Sequence, residues 1–163
     1  MELNPEPLLL NNLMNELKIY TNEHLRAAGK EHIEFILDDS NFIASCVINI
    51  DAKRLHQALT VLLENAVKFT NNGSIRFGYR QSSPADMLEF FVEDTGIGIN
   101  QDKQMVIFDS FRQIEFDSAR NYEGMGLGLT LCRGLIELMD GKIWVKSKEG
   151  SGTTVYISVP YLR

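Results

Sequence analysis

The chain has 163 residues, 44% of them apolar, which suits one compact domain with its own core and argues against disorder. Sixteen Lys and Arg against 22 Asp and Glu give a net charge of -6, so binding to a nucleic-acid backbone, which draws its affinity from basic surface, is not expected. No apolar run reaches the length of a bilayer crossing, and no basic start followed by an apolar stretch reads as a signal peptide, so a cytoplasmic domain without direct membrane contact is expected.

In chain order, residues 1–30 read as a helix: Leu8, Leu9, Leu13, Leu17 and Leu25 recur near helical spacing behind Pro5 and Pro7. Ile33 to Leu37 and Ala44 to Ile50 read as strands around the turn residues Asp38, Asp39, Ser40 and Asn41. Asp51 is an N-cap candidate for a helix from Ala52 to Phe69. Leu55, Leu59, Leu62, Ala66 and Phe69 line its core face, and Asn71-Asn72-Gly73 stops it. Ser74 to Arg80 and Met87 to Glu93 read as a hairpin. Thr95 to Met125 is rich in Gly, Asp, Asn and Gln without clear periodicity, the mark of a long loop that is functional or mobile. Leu127 to Met139 returns to helix, and Lys142 to Ser147 and Thr153 to Val159 are the last strands. Cys46 and Cys132 stand far apart without metal or redox spacing and read as reduced thiols. Helices interspersed among hairpins predict a two-layer α/β sandwich.

The chemistry clusters at glycines. Asp94-Thr95-Gly96-Ile97-Gly98 follows a strand, and Gly124-Met125-Gly126-Leu127-Gly128-Leu129 precedes a helix. Glycine lets backbone approach a ligand closely, and a helix entry presents unpaired N–H groups with positive character, which fits a di- or triphosphate. Neither a compact dinucleotide fingerprint nor a Gly-Lys-Ser/Thr phosphate loop is present. Opposite the core stripe of the Ala52–Phe69 helix lie Gln57, Val61, Glu64, Asn65 and Lys68, spaced so that Asn65 and Lys68 are neighbours. An amide oxygen suits Mg²⁺, and a lysine suits phosphate oxygens. Asp94 can accept a hydrogen bond from an exocyclic amine, with the Thr153 hydroxyl as a second polar group.

In this order the segments QALTVLLENAVKFT (57–70), VEDTGIGI (92–99), IFDSFRQ (107–113), GMGLGL (124–129) and Gly150-Ser151-Gly152-Thr153 resemble the N box, first glycine box, F box, second glycine box and last glycine motif of histidine kinase catalytic domains. That ATPase superfamily also includes type II topoisomerases, the ninety-kilodalton heat-shock chaperone and MutL proteins. The resemblance implies a Bergerat-type sandwich, with a mixed sheet on one side, helices on the other and a long ATP lid. It implies that Asn65 ligates the Mg²⁺ bound to ATP and that Lys68 meets the phosphates. Asp94 would take the adenine amine, with Gly96 and Gly98 shaping the pocket and Thr153 assisting. Gly124, Gly126 and Gly128, with the N–H groups of Leu127 and Leu129, would hold the triphosphate. Phe108 and Phe111 would anchor the lid, and Arg112 or Arg120 would reach the γ-phosphate. Glu64 is the one carboxylate beside Asn65 that could act as a base.

Two departures stand out. Val61 occupies a position where many relatives carry a second Asn. His24, His32 and His56 do not sit in a phosphoacceptor motif and read as incidental. The expectation is therefore a catalytic domain at 29–163, preceded at 1–28 by a helix or linker from a dimerisation domain that bears the acceptor histidine. A response regulator would act downstream, and the isolated domain would be monomeric. The alternatives are a nucleotide-binding module weakened by Val61, or another ATPase of the superfamily.

Overall fold

The protein is described by a computed structural model over residues 2–43, 46–82, 87–96, 123–148 and 150–161. The elements run β1 (Glu6–Leu9), α1 (Leu10–Ala27), β2 (Glu34–Asp38), β3 (Val47–Ile50), α2 (Ala52–Phe69), β4 (Ser74–Ser82), β5 (Met87–Asp94), α3 (Glu123–Leu138), β6 (Lys142–Lys148) and β7 (Gly152–Pro160). Five strands form a mixed sheet in the order β2-β4-β5-β7-β6. Only the β2–β4 pair in it is parallel. A separate antiparallel ribbon joins β1 to β3. The expected α/β sandwich with a mixed sheet is the observed one.

Alternation along the strands decides which face meets the helices. Ile75, Phe77 and Tyr79 of β4 are fully buried, as are Leu88 and Phe90 of β5 and Ile157 and Val159 of β7. They join one cluster with Leu55, Leu59 and Leu63 of α2 and with Leu10, Met14 and Leu17 of α1. Each such side chain contributes about 1.5–3 kcal/mol by leaving water. The Tyr79 hydroxyl is buried in this apolar layer and is satisfied. It donates to Asn11 Oδ1 at 2.7 Å and accepts from the Ile43 N–H at 3.0 Å. On the other sheet face, Trp144 stacks on Tyr156 with ring centroids 5.3 Å apart.

Asp51 caps α2 as expected, accepting from the Arg54 N–H at 3.2 Å. It also pairs with the Arg54 guanidinium and accepts from the Asn4 N–H at 2.9 Å. Burial alone would raise its pKa, but the hydrogen bonds from Asn4 and Arg54 outweigh it and hold the carboxyl below its ordinary value.

The structure departs from the sequence reading in three places. Leu8 and Leu9 are not helical: they lie in β1, opposite Ile48 and Val47. The pairing with β3, distant in sequence, holds them extended, and helical spacing carries no sign of that partner. The last helix begins at Glu123 rather than Leu127, so the second glycine box forms its opening turns instead of standing ahead of it. Residues 1–28, expected as a helix or linker, supply a strand and a helix whose buried leucines belong to the common core.

Candidate nucleotide site

Asp94 ends β5 and sits opposite Thr153 of β7. It is 8% exposed. Its Oδ1 accepts from the Gly96 N–H at 2.9 Å, so the turn after the strand is built on the carboxylate. Burial pushes the Asp94 carboxyl up to about 6; hydrogen bonds from the Gly96 and Thr153 N–H groups oppose that rise, and the Glu93 charge adds to it. The Thr153 hydroxyl lies 2.7 Å from Ser147 Oγ on β6, which fixes its orientation. Gly96 is forced by space: a Cβ there would strike the carbonyl of Phe69 at the end of α2.

Asn65 faces this pair from α2. One cleft is lined by Leu62, Asn65, Ala66, Val92, Asp94, Leu129, Thr153 and Val155. Apolar walls thus run between a carboxylate with a hydroxyl at one end and a carboxamide at the other. That arrangement suits a flat heterocycle carrying an exocyclic amine. The Asn65 Nδ2 is buried and lacks a hydrogen-bond partner among the described residues. A buried unsatisfied amide carries a desolvation cost of about 1–3 kcal/mol, which marks a position awaiting a ligand. Helix α3 approaches closely at Gly128, where a Cβ would lie 3.0 Å from Val61 Cγ1 and 3.4 Å from Asn65 Nδ2.

A helix that begins at Glu123 leaves the N–H groups of its first four residues, 123–126, without acceptors inside the helix. Gly124 and Gly126 fall among them. The N–H groups of Leu127 and Leu129 come later and face carbonyls four residues back. Leu127 and Leu129 as phosphate donors stay a proposal, with the first-turn N–H groups beside them. The Leu129 side chain is 1% exposed and serves as cleft wall.

A second, polar depression adjoins the first on the α1 side of α2, lined by His24, Ala28, Lys30, Glu64, Asn65, Val67 and Lys68. Asn65 belongs to both. Lys68 is exposed, its Nζ 5.4 Å from the Phe69 ring centroid. Glu64 is not a free carboxylate: it accepts a hydrogen bond from the Tyr20 hydroxyl of α1. That bond comes first, then burial and the Glu64 charge, in raising Tyr20 to about 12. Gly98, Phe108, Phe111, Arg112 and Arg120 lie outside the described residues.

Sequence reasoning missed Ser147, Leu62, Val92 and Val155. The last three carried a signal, but apolar stripes read as core, and a cleft wall has the same composition as a core. Ser147 could be found only through the β6–β7 register, which pairs it with Thr153.

Residues 50–163 match the family described as histidine kinase-, DNA gyrase B- and HSP90-like ATPases. The autoinducer 2 sensor kinase/phosphatase LuxQ of Vibrio cholerae is 40% identical over 134 residues, covering 81% of this chain and 16% of that protein. The sensor histidine kinase RcsC of Escherichia coli is 41% identical over 113 residues, covering 69% of this chain and 12% of that protein. Among solved structures, full-length ShkA in complex with AMPPNP superposes with a TM-score of 0.82 at 27% identity, over 99% of this chain and 32% of that one. The catalytic domain of histidine kinase ThkA superposes with a TM-score of 0.77 at 27% identity, over the whole of both chains. The chain thus spans less than a fifth of the length of these two curated relatives.

Proposed function

This chain belongs to the family of histidine kinase-, DNA gyrase B- and HSP90-like ATPases and is an ATP-binding catalytic domain of the sensor histidine kinase type; from that premise we propose that it holds Mg-ATP between α2, α3 and the β5 turn and offers the γ-phosphate to a histidine on another domain of its parent protein. The observation that carries this reading is the single cleft uniting Asn65, Asp94, Leu129 and Thr153 from four elements.

Asp94 accepts the adenine amine, and its fixed Gly96 and Thr153 contacts orient the acceptor oxygen. Leu62, Val92, Leu129 and Val155 take the ring faces and exclude water. N–H groups in the opening turns of α3, those of Gly124, Gly126, Leu127, Gly128 and Leu129, meet phosphate oxygens with the helix dipole behind them. Lys68 adds a positive charge on the same side. The Asn65 carboxamide would offer its oxygen to a divalent ion, and its Nδ2, without a partner among the described residues, would donate to a phosphate oxygen; bound Mg²⁺ would neutralise charge on the phosphates there. Phosphoryl transfer asks mainly for such positioning and charge compensation. Glu64, tied to Tyr20, is poorly suited to act as a base. Phe108 and Phe111 as lid anchors, and Arg112 or Arg120 at the γ-phosphate, complete the proposal. So do a histidine-bearing dimerisation domain, a response regulator as downstream partner, and a cytoplasmic setting. Among the described residues no helix is long and apolar enough to cross a membrane.

Titration calorimetry with ATP and Mg²⁺ tests the site. Asp94→Ala and Asn65→Asp are each expected to weaken binding at least about tenfold, the scale of one lost hydrogen bond to a charged or metal-linked group. Unchanged affinity in both variants refutes the assignment.

A further inference from the structure

Two polar contacts bind α1 and the segment after it to the far half of α2, and neither belongs to the cleft. The Tyr20 hydroxyl donates to Glu64, the neighbour of Asn65. Lys30 Nζ donates to the carbonyls of Val67 at 2.7 Å and Lys68 at 3.2 Å. Those carbonyls lie in the last turn of α2, where the helix itself supplies no N–H donor to them. Burial lowers the Lys30 pKa from its ordinary value, so the ammonium gives up water to make these bonds. Both contacts flank the depression that Asn65 and Lys68 line.

We infer that Tyr20 and Lys30 are positioning residues for the phosphate end of the nucleotide site, acting through Glu64 and through the last turn of α2 on Asn65 and Lys68. The reasoning is geometric. Among the described residues Asn65 Nδ2 has no hydrogen bond to fix its carboxamide, and Lys68 is an exposed side chain on a helix terminus that would otherwise fray. The turn carrying both is held in place by a bond one residue before Asn65 and by a cation on the carbonyl of Lys68 itself. The adenine end needs no such help, because Asp94 and Thr153 are fixed by the β5–β7 pairing.

This inference rests on the Mg-ATP reading above, and its test separates the two. ATP and ADP affinities are measured with Mg²⁺ for the wild type, Tyr20→Phe, Lys30→Met and Lys30→Arg, with thermal unfolding alongside. Wild-type chain that binds neither nucleotide refutes the function and not merely the inference. Given wild-type binding, Tyr20→Phe and Lys30→Met are expected to weaken ATP about three- to tenfold, the range of one net hydrogen bond, while ADP changes less than about twofold, and arginine at position 30 restores most of the loss. A purely structural role lowers the melting temperature and weakens ATP and ADP alike. That result, or an unchanged ATP-to-ADP ratio in both Tyr20→Phe and Lys30→Met, overturns the inference.

Discussion

Asp94 illustrates how one side chain serves binding at the expense of stability. Its folded pKa, about 6, stands above its ordinary value of 3.8. Between those values the folded protein binds the proton more tightly than the unfolded chain, so unfolding free energy falls as pH rises from about 4 through 6. Two pKa units correspond to roughly 3 kcal/mol of lost stability at pH 7, as an upper figure. Asp94→Asn is therefore expected to raise the melting temperature of the nucleotide-free protein at pH 7 and to leave it nearly unchanged at pH 4, while weakening ATP binding. A melting temperature that drops at both pH values contradicts this. In the wild type, ATP affinity is expected to decline as pH falls through about 6, where the acceptor carboxylate becomes protonated; calorimetry from pH 5 to 8 measures it. Asp94 was legible in the sequence because an acid after a strand and before Gly-x-Gly is distinctive. Its burial was not, since burial depends on α2 and β7, remote in the chain.

Among the elements, α3 ends on an unusual residue. Asp140 adopts a left-handed backbone with φ of 59°, and the Gly141 N–H closes the terminus on the Ile136 carbonyl at 2.9 Å. A side chain with a Cβ is disfavoured there, and its negative charge faces the negative end of the helix dipole. Asp140→Gly is expected to stabilise the protein by about 1 kcal/mol, a rise of roughly 2–4 °C for a chain of this size, without altering ATP affinity. Thermal unfolding checks it, and a lower melting temperature counts against the αL argument. At the sheet margin, β6 presents Lys142, Lys146 and Lys148, all exposed. Charge on an edge strand deters pairing with other chains.

For the whole molecule, the question is where the domain begins. The boundary drawn from sequence set residues 1–28 apart, yet Leu10, Leu13, Met14, Leu17 and Leu25 are buried in the core, and Asn11 and Asn4 bond to Tyr79 and Asp51. Deleting 1–28 would expose the apolar faces of α2 and β4 and remove the Asn11 acceptor of the Tyr79 hydroxyl. The truncated chain is expected to lose cooperative thermal unfolding; a sharp transition near that of the intact protein would show that the core is complete without α1.

The sequence by itself determined the elements around the site and the residue types within it. Helical period, an N-cap at Asp51, a stop at Gly73 and glycine boxes are local features that short stretches of chain encode. Tertiary structure alone decided that Leu8 and Leu9 pair as a strand and that α1 is core. It also decided that Glu64 is occupied by Tyr20, that Ser147 fixes Thr153, and that the Asn65 Nδ2 has no partner among the described residues. Most of these depend on groups far apart in the chain coming together, Leu8 with Ile48 and Tyr20 with Glu64 among them, and periodicity carries no information about which distant partner arrives.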